Sequence, residues 1–435
     1  MAAPPTDTLP LGPRRPVALQ SLRWAARPQR FLDSCRRRYG DAFTVTIQGG
    51  RWVFLSHPRD AAAIYAGDPD AFAAGETHDL LEPLFGRRSV HLLDGPEHLR
   101  QRRLLAPPLH GEGLEHYAAT IAAVTAEAVA GWPEKEMQLL PRTRAITLEV
   151  IMRGIFGFKR AGDGRAVRDS LDRVLHLTMG TGRVIGGALL PARLLQPATG
   201  SRLFAFRRAM NSLETALLAE IRARRRAAGV PGADLLSMLV GTTCEDGSPL
   251  DDEELKDNLV TLVVAGHETT ATGLAWALHS LARSPEALAE VPGALADAEW
   301  LDSLVRETLR LHPPVPLSMR RLLRPLRLGG AELPPGTNVA VCIPLLHRFG
   351  DAYEEPERFL PGRFRGWRPP AHAWAPFGGG TRRCLGSRVA MLEMGLVLRA
   401  VLERRRLEPS RTPAEAVSSL AMRPARGGRV TLRRR

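Results

Sequence analysis

Residues 375–386 read APFGGGTRRCLG, and an amphipathic pattern takes over at Leu385 (LGSRVAMLEMGLVLRAVLERRR). Three glycines, two arginines and a cysteine are thus compressed into a loop that feeds a helix, with apolar residues at spacings of three and four. Cys384 stands at the N-terminal end of that helix, where unpaired backbone N–H groups and the helix dipole favour an anion. A thiol so placed tends toward a thiolate, and glycines let other backbone or a ligand approach closely. Such a cysteine is a nucleophile or a metal ligand, and the loop alone leaves both open.

A second constraint lies in the middle of the chain. Residues 253–283 predict one long helix whose centre, LVTLVVAGHETTATGLAWALHSLA, is apolar on nearly every face and therefore buried. His267, Glu268, Thr269 and Thr270 interrupt it, next to Gly266, which costs about 1 kcal/mol against alanine in a helix interior. Buried polar groups need partners or a purpose. Two shorter patterns accompany it. In ETLRLHPPVP, Glu307 and Arg310 share a helical face, and the helix stops at Pro313–Pro314. Arg358, in PERF, is the candidate for completing a buried network with them. In EHLRQRR, His98 and Arg102 are four apart on one face, which reads either as a solvated basic face or as a donor pair for a buried carboxylate or phosphate.

The remaining pattern is mainly α with a small β portion. Residues 43–47 and 52–56 read as a hairpin around Gly49–Gly50. The segment to Pro96 reads as irregular, residues 97 to about 366 as mostly helical, and short strands are expected at 326–328, 338–341 and 429–435. No linker or repeat divides the 435 residues, so a single domain over 1–435 is expected, with 1–15 a flexible N-terminal segment. The four cysteines (Cys35, Cys244, Cys342, Cys384) are scattered, which argues against a disulfide framework or a CxxC zinc site and for a reducing, cytoplasmic compartment. No stretch reaches the 18 or so apolar residues of a membrane span, and residues 1–16 lack the apolar segment of a signal peptide. The net charge of +14 invites a polyanion. Only Lys135, Lys159 and Lys256 are lysines, however, and no nucleic-acid motif is present, so nucleic acid is not an expected partner.

Taken together, the patterns resemble the cytochromes P450. Phe377-x-x-Gly380-x-Arg382-x-Cys384-x-Gly386 is similar to that family's haem-binding motif. Ala265–Thr270 (AGHETT) resembles its oxygen-activation motif, Glu307-x-x-Arg310 and Pro356–Phe359 its Glu–Arg–Arg network, His98/Arg102 its HxxxR, and Arg320 its other propionate arginine. The resemblance implies the P450 fold, with haem b (iron protoporphyrin IX) between the long helix and the cysteine loop. It implies Cys384 as axial thiolate, which favours O–O cleavage, with Phe377, Gly378 and Gly386 shaping the loop. His98, Arg102, Arg320 and Arg382 would meet the propionates, Ala265 and Gly266 would leave room for dioxygen, and Glu268 and Thr269 would relay protons. The implied activity is insertion of one oxygen atom of O2 into an apolar small molecule, by hydroxylation or epoxidation. The substrate would be fatty-acid-, terpenoid- or steroid-like. Electrons would come from NAD(P)H through a separate reductase and a ferredoxin or flavodoxin docked near Arg103, Arg382, Arg383 and Arg388. A monomer is expected. The alternatives are a peroxide-driven peroxygenase and a non-catalytic haem-binding sensor. Pocket positions are expected at Phe72, Leu80, Leu81, Leu84, Phe85, Ala265, Val315, Leu317 and Leu420, with Arg87 and Arg88 near the entrance.

Overall fold

The computed structural model describes residues 9–47, 50–159, 162–178, 196–227, 234–244, 248–418 and 421–435. Its axis is the expected central helix, Asp252–Arg283. Asp251 caps it by accepting from the N–H groups of Glu253 and Glu254, three acids fill its first turn, and Arg283 closes its last, the charge order the helix dipole favours. Helices Glu112–Ala130, Leu139–Phe156, Ala298–Leu311 and Ser387–Arg404 surround its C-terminal half through one core that includes Ile121, Ile146, Leu274, Leu304 and Val397. Thr143 Oγ1 donates to the Ala271 carbonyl at 2.8 Å, which fixes the register of the Leu139–Phe156 helix against the central one.

The minor β portion is a five-stranded sheet in the order 42–47, 50–55, 338–342, 317–322, 72–73, with two-stranded pairs and a three-stranded sheet elsewhere. The first two strands form the expected hairpin (Phe43 opposite Phe54), and the second runs parallel to Asn338–Cys342 (Val53 opposite Val339). Strands Leu326–Leu328 and Arg429–Arg434 also lie where the pattern puts them.

Two expectations are corrected. The segment before Pro96 is not irregular: helix Pro58–Tyr65 starts on a proline at its first position, with His57 Nδ1 accepting from the Arg59 N–H at 3.0 Å. Leu317–Leu322, inside the stretch read as helical, is a strand. The prolines at 313, 314 and 316 block helix there, and the strand's backbone pairs with 338–342 instead. Of the tail expected to be flexible, residues 1–8 lie outside the described residues, as does most of the 176–204 connection. Among the described residues, no helix is long and apolar enough to cross a membrane.

Candidate active site

The cysteine loop is held from both ends. His347 Nε2 accepts from the Ala375 N–H at 2.8 Å, and the Phe377 carbonyl accepts from the Cys384 N–H at 3.0 Å. Its glycines are required by contact. A Cβ on Gly379 would lie 2.4 Å from the Tyr65 ring, and one on Gly380, whose φ is +64°, would lie 2.6 Å from the Tyr65 carbonyl oxygen. The helix Ser387–Arg404 follows, capped at Gly386. The Cys384 side chain lies deep in the protein yet is accessible, the combination expected of a group facing an interior cavity. Burial raises its pKa, while the Gly386 N–H and the charges of Arg102 and Arg383 pull it down. In the protein alone burial wins, contrary to the simple helix-terminus argument, so a stable thiolate here calls for a cation on the sulfur.

The central helix supplies an opposing surface. It is buried almost throughout from Leu255 to Ala282, yet Ala265 is exposed and Gly266 and Thr269 are half-exposed. A Cβ on Gly266 would meet nothing closer than Ile151 at 3.9 Å. Thr269 Oγ1 donates to the Ala265 carbonyl at 2.7 Å. These positions mark one open face in a closed helix. Val263 and Val264 pack in one apolar cluster with Leu385 and Val389, beside the cysteine, so helix and cysteine loop share a wall.

Glu268 does not share the open face. Successive helical residues point about 100° apart, and Glu268 is buried in a bidentate pair with Arg144 at 2.7 and 2.5 Å. Arg144 is the residue that sequence reasoning missed; the 139–156 run also carries Arg142, Glu149 and Arg153, so nothing in the pattern singles it out. His267 and Thr270 are buried too, and His267 Nδ1 meets Thr147 Oγ1 at 2.8 Å. Burial pushes the imidazole down to about 4, so it is neutral.

A third element is a concentration of positive charge. His98, Arg320 and Arg382 gather around a single carboxylate, Asp94, and Arg102 stands beside His98 and Arg382 on the side of Cys384. Arg382 pairs with Asp94 and with the Leu93 carbonyl. Asp94 also accepts from the Ala74 N–H at 2.8 Å. Among the described residues, Arg320 donates only to its neighbour's carbonyl, Met319 O, at 2.7 Å. Burial is the largest cause of the depressed pKa of His98, about 4, and of Arg382, about 10; the neighbouring guanidiniums add to both. Among the described residues, these three guanidiniums have one carboxylate between them, which leaves two positive charges without a carboxylate partner. Buried charge is expensive unless paired, so this cradle calls for a ligand with two negative charges.

The buried network behind the cysteine loop is partly as expected. Glu307 and Arg310 form a fully buried bidentate pair at 2.9 and 2.7 Å. The third arginine is Arg363, not Arg358. Arg363 Nε lies 3.2 Å from both Glu307 oxygens, whereas Arg358 reaches outward to Glu355 and Glu286 at the surface. Only the Arg358 carbonyl enters the network, accepting from Arg310 at 3.0 Å.

The expected pocket positions divide. Leu80 and Val315 are exposed, Phe72, Leu81 and Leu317 are half-buried, and Leu84 and Phe85 are buried in the cluster that holds Val264. Leu420 lies outside the described residues.

An accessible thiol, an open helical face that shares a wall with its loop and guanidiniums in excess of carboxylates define a class: mainly helical proteins with an interior site suited to an anionic ligand. The sequence model of the family "Cytochrome P450" matches residues 10–431. Cytochrome P450 135B1 of Mycobacterium tuberculosis is 39% identical, covering 98% of this chain and 91% of its own length. Cytochrome P450 138 of the same organism is 35% identical, over 100% and 98%. The crystal structure of the cytochrome P450DA heme domain superimposes with a TM-score of 0.83 at 24% identity, over 98% of each chain. The retinoic-acid-bound cyanobacterial CYP120A1 does so at 0.82 and 24%, over 98% of this chain and all of that one. The chain belongs to the cytochrome P450 family and is a P450 monooxygenase, an oxidoreductase that uses haem.

Proposed function

We propose that Cys384 is the axial ligand of haem b in this enzyme and that the open face at Ala265, Gly266 and Thr269 receives dioxygen and an apolar small molecule, of fatty-acid, terpenoid or steroid-like size. The observation that carries this reading is the charge surplus of the cradle, two positive charges that the two propionates of haem would cancel. The bound haem would supply thiolate-assisted oxygen activation. The chain's own residues do the rest. His98, Arg102, Arg320 and Arg382 hold the propionates. The Gly386 N–H tunes the sulfur. Gly379 and Gly380 keep the loop against Tyr65. Glu307, Arg310 and Arg363 brace the segment that leads to it. Electrons are assigned to NAD(P)H through a separate reductase and an acidic ferredoxin or flavodoxin, which suits the exposed Arg383 and Arg388 next to Cys384. A cytoplasmic setting suits four cysteines with no disulfide among them.

The test is the absorption spectrum of the purified protein, ferric and then reduced under carbon monoxide. The red-shifted carbonyl Soret band of a thiolate is expected in the native chain and its loss in Cys384→Ser. No haem, or a histidine-type band in the native protein, overturns the reading.

Thr269 holds a hydroxyl on the open face, and Glu268 behind it exchanges protons only when its bond to Arg144 loosens. Thr269→Ala is therefore expected to lower product formed per NAD(P)H by about tenfold or more, with hydrogen peroxide released in its place. Coupling measured with a surrogate ferredoxin and reductase checks this. Unchanged coupling, together with equal turnover driven by added peroxide, would instead favour the peroxygenase reading.

A further inference from the structure

Two histidines have no role in the machinery above. His78 and His91 lie in the 71–93 segment, and their rings meet edge to face with centroids 4.3 Å apart. Phe85 also meets His91 edge to face, with centroids 5.3 Å apart. Both imidazoles are deep in the protein, yet both residues are half-exposed, so, like Cys384, they face interior space. The cradle is adjacent: Arg320, Arg382 and Asp94 act on His78, and Arg382 and His98 on His91.

The hydrogen bonds settle what the pair offers. The Ala74 carbonyl can only accept, and His78 Nδ1 lies 2.8 Å from it, so the proton sits on Nδ1 and Nε2 is a bare acceptor. Thr77 Oγ1 donates to the same carbonyl at 2.6 Å. Neither imidazole nitrogen of His91 is hydrogen-bonded to a described residue, and neither is His78 Nε2. Three polar atoms in one ring pair are therefore accessible and without a hydrogen bond to any described residue, free to bind a ligand.

We propose that His78 and His91 form a hydrogen-bonding clamp for a hydroxyl group on an otherwise apolar substrate. A hydroxyl both donates and accepts. It can give its proton to His78 Nε2 and accept from the N–H of His91, which a ketone or an ether cannot do. A carboxylate is disfavoured for two reasons. His78 presents a lone pair to it, and burial keeps both rings neutral, with His91 pushed down to about 3 and His78 also lowered. The nearby guanidiniums do not reverse this, since Asp94 and two propionates match their charge. The substrate class narrows from any apolar molecule to an apolar alcohol, bound by its hydroxyl end near the cradle with its hydrocarbon body along Phe85.

This inference rests on the haem-thiolate reading, and the experiment separates the two. The haem-loaded full chain is titrated optically with decalin, 2-decalol and decalin-2-carboxylate, following the ferric spin-state shift. The native protein is expected to bind the alcohol about tenfold more tightly than the hydrocarbon, the scale of one or two neutral hydrogen bonds, and to bind the carboxylate more weakly than the alcohol. In His91→Phe, which has no protein hydrogen bond to lose, the alcohol preference should fall to about one. His91→Asn should restore part of it. An unchanged preference in His91→Phe overturns the clamp. So does tighter binding of the carboxylate, or a shifted haem reduction potential with selectivity intact, which would assign His91 to the cofactor. A native protein without the thiolate carbonyl band overturns the underlying reading and the clamp with it.

Discussion

Replacing Arg310 by methionine is expected to lower the unfolding free energy by about 3–5 kcal/mol, because it removes one of the two guanidiniums that hold a fully buried carboxylate. Arg310 also donates to the carbonyls of His347, Pro356 and Arg358 at 3.0, 2.7 and 3.0 Å. Its loss therefore unties the segment leading to the cysteine loop as well as exposing Glu307. Lysine is no substitute, since its point charge cannot reproduce the planar fork. Arg363→Met should destabilise in the same direction. Arg358→Ala should leave stability nearly unchanged, as befits an exposed ion pair. Chemical denaturation of the three variants, followed by helix signal and by haem absorbance, decides it. An Arg358 effect as large as that of Arg363 would reinstate the sequence-based assignment.

The second large effect concerns Glu393, buried on the helix after the cysteine, with Oε1 lacking a hydrogen-bond partner among the described residues. Burial pushes its carboxyl from 4.5 up to about 8. The sign follows from linkage. The folded protein keeps the proton that the unfolded chain gives up, so this group's contribution is intact below about pH 4.5 and is lost as the pH rises through 8. A shift of that size corresponds to a penalty of the order of 5 kcal/mol above pH 8. Glu393→Gln, neutral and nearly isosteric, should therefore match the native protein near pH 4.5 and exceed it by several kcal/mol at pH 8.5. Parallel stability profiles for the two proteins across that range would contradict the assignment.

What the sequence revealed and what it concealed differ by range. The central helix, the hairpin at 42–55 and the helix after Cys384 are local patterns, written in periodicity and turn residues, and were legible. The Glu307–Arg310 pair was legible for the same reason, being one helical turn. Arg358 and Arg363 lie in one short loop, PERFLPGRF. Which guanidinium turns inward depends on how that loop folds over Glu307, and spacing carries no information about it. Arg144 meets Glu268 across 124 residues, and His78 meets His91 across the short helical turns at 75–85. Contacts of that kind are decided by helix packing and leave no periodic trace. The pKa of Cys384 shows the opposite failure, a sound local rule overridden by burial.

The sheet pairings also set a schedule for synthesis. Strand 50–55 pairs with 338–342, and strand 136–138 with 429–434, so neither seam can close until nearly three hundred further residues have left the ribosome. At about 5–20 residues per second that is a wait of roughly 15–60 s, during which the N-terminal hairpin presents an open edge of the kind that invites mispairing. The arginine cradle is completed late for the same reason, since Asp94 and His98 must wait for Arg320 and then Arg382. Chaperone supply and cofactor supply during expression should then act at one moment, the release of the finished chain, and slow translation would prolong the exposed interval without bringing cofactor capture forward.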